Sequence, residues 1–318
     1  MISLILGAIF ALTIGPAPIS FSDTLAALAG QADRQAEIVV WNIRMPRVLA
    51  AMLVGGALAA AGASYQIMFR NPLVSPDILG VSSGAALGAV CAIFLSLPIF
   101  AVQGFAFAGG MLAVALVSAI ASAVRGVDTT LVLVLTGVVM GALAGAATSL
   151  LKVMADPYDQ LPAITFWLLG SLARVTSGDL LPVLPAVIIG LVPLVMMRWR
   201  INVLSLGDDE ARALGSDAGR LRLLVIAAAT LMTASVVAIA GVVGWVGLVI
   251  PHIARMLVGP NFAVLLPTSA VIGAGYLLLV DSLSRTLATV EIPLGILTAV
   301  IGAPFFLWLL ARGRRSWS

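Results

Sequence analysis

Few residues in this chain could carry acid–base or metal chemistry. The 318 residues include 14 Asp and Glu, one His and one Cys. His252 and Cys91 are too few for a soft-ligand metal site, which needs about three or four nitrogen or sulfur ligands. The only acidic cluster, Asp208-Asp209-Glu210, has no histidine or second carboxylate motif beside it. The residue types and spacing therefore argue against metal or acid–base catalysis.

Nucleotide chemistry within the chain is also excluded. Lys152 is the single lysine, and no GxxxxGK[ST] segment occurs. That segment forms the phosphate-binding loop of many ATPases, in which the lysine contacts the phosphates. The chain therefore cannot hold a nucleoside triphosphate in such a loop of its own.

The composition identifies the class of protein that must position these residues. Hydrophobic residues make up 61% of the chain and charged residues 10%, against about 45–50% and 25% in soluble domains. This excludes a soluble enzyme, a disordered chain and a disulfide scaffold. We expect an all-α, polytopic membrane protein. The net charge of +3 then reflects membrane topology and not binding to nucleic acid.

Charge-free runs of about 20 residues predict the membrane spans. The run 78–124 is long enough for two spans, with a turn at Ser96-Leu97-Pro98. The run 161–173 has only 13 residues and suits an interfacial or re-entrant helix. The other clear spans are 1–22, 48–69, 131–151, 180–197, 262–280 and 292–311.

The distribution of basic residues decides the 32-residue run 223–254. If it forms two helices, there are ten spans and the 17 basic residues divide eleven to six across the membrane. If it forms one helix, the division is eight to nine and the bias disappears. Because cytoplasmic loops carry an excess of Lys and Arg, we predict ten spans with both termini in the cytoplasm. The first span lacks a basic leader, so we interpret it as a retained helix.

Charges are predicted at the ends of the spans and not in their middles. Proton- and ion-coupled transporters keep ionisable relays inside the membrane. This pattern therefore predicts a pathway without its own motor, driven by a cytoplasmic partner. We place Asp77 and Asp128 at inner ends, and Lys152, Asp156, Asp281 and Glu291 at outer ends.

The longest cytoplasmic loop, 198–222, is the expected docking place for that partner. The acidic residues at 208–210 suit the start of a short helix, and Gly207 and Gly215 bracket it as turn or cap positions. Leu206, Ala211 and Leu214 would supply small apolar anchors.

Four segments in order resemble one transporter family. They are RMPRVLAAMLVGGALAAAGASYQIMFRNPLVSPDILGVSSGAALGA (44–89), LSLGDDEARALG (204–215), GWVGLVIPHIARMLVGP (244–260) and EIPLGILTAVIGAPFFLWLL (291–310). Together they resemble the FecCD-type permeases. These are BtuC-like membrane subunits of bacterial ABC importers for ferric siderophores, haem and cobalamin.

The resemblance implies the fold, the location and the partners. It implies one transmembrane permease domain over 1–318 with the type II importer fold, in the bacterial cytoplasmic membrane. The permease would form a homodimer with a central pathway, and spans two to five and seven to ten would be inverted repeats of each other. Two cytoplasmic ATPases would hold the ATP and Mg, so this chain would carry no cofactor and would not be an enzyme. One extracytoplasmic binding protein would deliver the cargo.

The resemblance also implies roles for three groups of residues. The first group, Arg44, Arg47 and Arg285, would receive an acidic residue from each lobe of the binding protein, since guanidinium binds carboxylate bidentately. The second would couple the permease to the ATPase: Leu206, Gly207, Asp208, Asp209, Glu210, Ala211, Arg212, Leu214 and Gly215. The third would form an inner gate: Asn71, Leu73, Thr130 and Leu131.

Local interpretations of the same residues stay open. The arginines could anchor helix ends, and Asn71 with Pro72 could form an ordinary turn. His252 is expected to be structural. The expected cargo of this chain is an iron chelate, first a ferric siderophore, with haem, cobalamin and molybdate as alternatives. A secondary transporter would need buried relays, and an intramembrane enzyme would need acidic or histidine clusters; neither is found in the sequence.

Overall fold

The chain forms a bundle of helices. The computed structural model describes residues 2–15, 19–124, 126 and 128–313, and the regular structure in these ranges is helical. A π-helical turn, Val39–Arg44, joins α3 to α4, and a 3-10 segment, Pro76–Leu79, precedes α5. The helices are α1 (Ile2–Thr13), α2 (Phe21–Leu28), α3 (Arg34–Ile38), α4 (Met45–Met68), α5 (Val81–Phe94), α6 (Ile99–Ala123), α7 (Thr129–Met154), α8 (Gln160–Leu169), α9 (Ser177–Met196), α10 (Arg198–Leu204), α11 (Asp208–Ala213), α12 (Ala218–Ala240), α13 (Val246–Val258), α14 (Phe262–Ser284) and α15 (Leu294–Gly313).

Ten of these helices correspond to the ten predicted spans. Among the described residues, 6 helices are long and apolar enough to cross a membrane: the continuous helix Arg34–Met68, α6, α7, α9, α12 and α14. The apolar helices α1, α5 and α13 and the described part of α15 are shorter. The run 161–173 overlaps the 10-residue helix α8, which agrees with the prediction that it is too short for a span.

The run 223–254 is divided between two helices, as the charge distribution predicted. Helix α12 ends at Ala240 and α13 begins at Val246. Gly241 has φ +70, and a Cβ at this position would overlap the carbonyl oxygen of Trp167. Glycine is the residue that adopts this backbone at little cost, so it ends α12 where the chain turns back.

The first predicted span, 1–22, is wrong in its extent. Helix α1 ends at Thr13, and Ser20 begins α2 with a capping box. The Asp23 amide donates to the Ser20 hydroxyl at 3.1 Å, and the Ser20 amide donates to the Asp23 carboxylate at 3.3 Å. A capping box marks the start of a new helix. The hydropathy of the run 1–22 does not show this break.

Helix α5 begins inside the bundle and not at its inner end. Asp77 therefore lies farther from that end than predicted. Gly80 precedes α5 with φ +79, and its Cβ position is 3.5 Å from the carbonyl oxygen of Gly137. Gly137 is about 12 Å along α7 from the first residue of that helix. Asp77 itself accepts a hydrogen bond from the Ser82 hydroxyl. Counting charge-free residues misses this depth because it does not show that a short 3-10 helix enters the bundle before α5.

The second half of the chain repeats this order of lengths. Helices α4, α5 and α6 have 24, 14 and 25 residues, and α12, α13 and α14 have 23, 13 and 23. The short helices begin beside each other, since the Cβ position of Gly247 is 2.6 Å from Cδ of Pro76. The order of lengths agrees with the inverted repeat that the family resemblance implies.

Small residues allow the helices to approach closely. A Cβ at Gly55 of α4 would overlap the carbonyl oxygen of Gly273 in α14, and the reverse also holds. Gly84 and Gly88, which are four residues apart on one face of α5, meet the backbone of α6 in the same way.

We expect Gly55→Ala to lower the stability of the protein. The added methyl group would force α4 and α14 apart, at a cost of about 1–3 kcal/mol. Gly104→Ala is the matched control, because nothing lies within 4 Å of that Cβ position in α6. Thermal unfolding of the purified variants in detergent measures the difference. A midpoint for Gly55→Ala at or above that of Gly104→Ala would contradict the packing argument.

Candidate functional site

Three predicted docking residues come together at one end of the bundle. Arg44 ends the π-helical turn, Arg47 lies in the first turn of α4, and Arg285 follows the last residue of α14. Asp281 and Glu291 complete this arginine cluster. The sequence placed both carboxylates at the outer ends of spans, but it did not show that they pair with these arginines.

Arg47 is bound on two sides by carboxylates. Its Nε donates to Oδ1 of Asp281 at 2.9 Å. Its Nη1 and Nη2 donate to the two oxygens of Glu291 at 2.8 and 3.0 Å. The Nε of Arg285 lies 3.1 Å from Oδ2 of Asp281. Asp281, which is fully buried, is therefore held between two guanidinium groups.

The cluster also fastens the end of α1. The Nη1 of Arg44 donates to the carbonyl oxygen of Leu12 at 2.7 Å. The Nη1 of Arg285 donates to the carbonyl oxygen of Ile14, also at 2.7 Å. The last carbonyl groups of a helix lack partners within it, and cations are favourable there. The arginines thus anchor a helix end, which was the local interpretation, and the docking role stays a prediction.

The coupling loop, residues 198–222, lies at the opposite end. It contains α10, which the sequence did not predict, and α11, which begins at Asp208 as predicted. Leu204, Ala211, Ala218 and Leu221 form a small buried cluster. The side chains of Asp208 and Asp209 lie outside what the structure describes.

Two glycines bracket α11, as predicted. Gly207 has φ +128 and Gly215 has φ +74, which are conformations that favour glycine. Leu206 and Leu214, on either side of α11, are 57% and 63% exposed. The loop thus presents two apolar side chains outward from a short helix whose ends require glycine.

The predicted gate residues are held by local hydrogen bonds. The side-chain oxygen of Asn71 accepts from the Leu73 amide at 2.9 Å, which forms a turn. Asp128 caps α7 by accepting from the amides of Thr130 and Leu131 at 2.7 and 3.3 Å. These backbone hydrogen bonds, first that of Thr130, hold the pKa of the Asp128 carboxyl below its usual value. Leu73 and Leu131 are 41% and 51% exposed, and their gating role stays a prediction.

Two residues that the sequence did not single out connect these parts. The Nη1 of Arg70 lies 3.4 Å from the Cβ position of Gly207, so the loop after α4 reaches the coupling loop. Gln66, fully buried, donates to the carbonyl oxygens of Val74 and Leu248 at 3.3 and 3.1 Å. A glutamine inside an apolar span was the available signal for such a role.

Cation-binding chemistry has little support in the described part of the chain. It contains no group of three or more His, Cys, Asp and Glu side chains that could hold a metal ion. His252 is half-buried, and no partner is found for its Nδ1.

We expect Arg47→Met to destabilise the protein strongly. Loss of the guanidinium leaves Asp281 with one partner and Glu291 without its bidentate pair, which costs about 3–5 kcal/mol for a buried ion pair. Arg220→Met is the matched control: it breaks an exposed pair with Asp217, in which the two side chains are 90% and 57% exposed, worth about 0–1 kcal/mol. Thermal unfolding in detergent compares the two variants. Equal shifts would show that burial of the cluster does not set its contribution.

Comparison with known proteins adds to this geometry. The model of the FecCD transport family matches residues 3–312. The cobalamin import system permease protein BtuC of Halobacterium salinarum is 44% identical over 276 residues, 86% of this chain and 74% of that protein. A provisionally named iron chelatin transport system permease protein of Helicobacter pylori is 43% identical over 277 residues, 87% of this chain and 83% of that protein.

A solved structure agrees in fold over nearly the whole chain. It is an inward-facing conformation of a transporter provisionally assigned to the metal-chelate type of ABC transporter. The TM-score is 0.89 at 40% identity, covering 98% of this chain and 97% of that one. With the family match over 3–312, this shows that the chain belongs to the FecCD transport family.

Proposed function

We propose that the chain is the permease subunit of an ABC importer that moves a metal chelate, a ferric siderophore, into the cytoplasm. The observation that carries the proposal is family membership over residues 3–312. The similar proteins are named for cobalamin, for iron chelatin and for the metal-chelate type. The scarcity of charge in the spans supports a passive pathway, because the described residues show no series of ionisable side chains that crosses the membrane.

The coupling loop is the proposed contact with the ATPase, which would hold the ATP and Mg. The exposed Leu206 and Leu214 flank α11 and suit an apolar cleft on a partner. Because Arg70 reaches Gly207, movement of α11 would act on the loop after α4, where Asn71 and Leu73 form the proposed gate. This is a rigid-body transition between two arrangements.

The arginine cluster lies at the end opposite the coupling loop, where the binding protein is proposed to dock. In this arrangement the coupling loop faces the cytoplasm together with both termini. Two copies of the chain would form the central pathway of a homodimer in the cytoplasmic membrane. The apolar, ligand-poor interior suits a cargo whose metal is already wrapped in a chelator, and the binding protein would then select the cargo.

Reconstituted uptake tests the cargo. We expect proteoliposomes with the permease, its ATPase and its binding protein to transport a ferric siderophore only when ATP is present. The ATP must be on the side of the membrane where the ATPase lies. Haem, cobalamin and molybdate are the comparison cargoes in the same assay. Uptake of one of these in preference to every ferric siderophore tested would replace the proposed cargo. Uptake driven by an ion gradient without ATP would contradict the importer itself.

The coupling role is tested by adding a side chain where the backbone disfavours one. We expect Gly215→Val to abolish ATP-driven uptake while the protein still inserts, because valine at φ +74 distorts the end of α11. Gly30→Val is the matched control. Gly30 has φ +70 and, like Gly215, nothing within 4 Å of its Cβ position, but it lies between α2 and α3.

The measurements are the rate of uptake and the stimulation of the ATPase by the permease. Similar losses in the two variants would mean that backbone strain, and not the place of Gly215, causes the defect. Normal uptake by Gly215→Val would show that α11 does not couple the subunits.

A further inference from the structure

The arginines proposed for docking are buried in the single chain. Arg44, Arg47 and Arg285 are 3%, 7% and 8% exposed. A carboxylate from a partner could not contact the Arg47 guanidinium without displacing a group that is already bound to it. The burial and the other contacts of each group bound to the arginines decide which one can be displaced.

Asp281 cannot be the group that leaves. It is 0% exposed and is held between Arg47 and Arg285 at 2.9 and 3.1 Å. Moving it would leave a buried charge without compensation, which is strongly unfavourable. The carbonyl oxygens of α1 are also fixed, because they belong to the end of a helix that Arg44 and Arg285 bind.

Glu291 differs from Asp281 in burial and in setting. Its side chain is 37% exposed, although both of its oxygens bind Arg47. It lies in the segment between α14 and α15, and the backbone beside it is anchored. The Ser284 hydroxyl donates to the carbonyl oxygen of Ile292 at 2.6 Å, and the Leu294 amide donates to the carbonyl oxygen of Gly170 at 2.9 Å. The carboxylate can therefore rotate into solvent while the chain around it stays in place.

We propose that Glu291 is the resident occupant of a carboxylate subsite on Arg47, and that a carboxylate of the docking protein displaces it. The inference rests on the proposed docking at the arginine cluster and names the exchange by which it occurs. One carboxylate replaces another, so Arg47 keeps its charge balance and its bidentate geometry. The binding free energy gained at Arg47 on docking is then the difference between two similar interactions.

Chemical labelling of Arg47 tests the subsite without any partner. The full permease–ATPase complex is treated with phenylglyoxal, which modifies accessible guanidinium groups, and modification of Arg47 is followed by peptide mass spectrometry. We expect Glu291→Gln to speed modification about tenfold, the equivalent of losing one charge-assisted hydrogen bond. Glutarate, a dicarboxylate probe, should slow it again in this variant.

Asp159→Asn is the matched control, because Asp159 is exposed and its side chain makes no capping hydrogen bond to α8. Wild-type reactivity in Glu291→Gln would overturn the proposal, as would failure of glutarate to protect Arg47. An unfolded variant would also react quickly, but glutarate could not protect it. Glu291→Ala repeats the test without the side-chain amide oxygen that glutamine would still offer to Arg47.

Docking supplies the second measurement. With the binding protein that supports uptake in the reconstituted system, Glu291→Gln should bind about tenfold more tightly than wild type, and Asp159→Asn should bind as wild type does. Equal or weaker binding by Glu291→Gln would overturn the exchange. If no binding protein supports uptake, the proposed function fails, while the labelling of Arg47 still reports on the subsite.

Discussion

A buried carboxylate in an apolar bundle is stable only beside opposite charge, and Asp281 lies between two guanidinium groups. Arg47 and Arg285 approach it from α4 and from the end of α14. The same two arginines reach outward to Glu291 and to the last carbonyl groups of α1. One carboxylate thereby fixes the relative position of three helices. Because removal of either partner leaves a charge uncompensated, the cluster behaves as a unit.

A second constraint is that backbone groups inside a bilayer need partners from the protein itself. Helices α5 and α13 begin within the bundle, α5 after a short 3-10 helix and α13 after the non-helical residues 241–245. The 3-10 helix packs against α7 at Gly137, and its Pro76 packs against the start of α13 at Gly247. The result is a pair of short helices that start beside each other. Small shifts of the neighbouring long helices would therefore move the first residues of both α5 and α13. Such a coupled movement suits a pathway that opens and closes.

The two ends of the bundle differ in how they use charge. Within the arginine cluster at one end, Arg44, Arg47, Arg285 and Asp281 are buried, and Glu291 is partly exposed. At the other end, Leu206 and Leu214 of the coupling loop are exposed at the surface of the protein. Gln66 and Arg70 connect the loop after α4 to α13 and to Gly207. The proposed gate, the coupling loop and the docking cluster thus lie on connected parts of one framework.

The sequence alone determined that the chain is a helical membrane protein, where most helices lie and to which family it belongs. These properties follow from local signals: charge-free runs, the bias of the basic residues, and motifs of adjacent residues. The split of 223–254 was predictable because glycine and charge bias both act along the chain. The pairing of Arg47 with Asp281 and Glu291 joins residues more than 230 positions apart, and only the tertiary structure decided it. The depth of Asp77 and the early end of α1 were likewise decided by packing and capping, which hydropathy does not record.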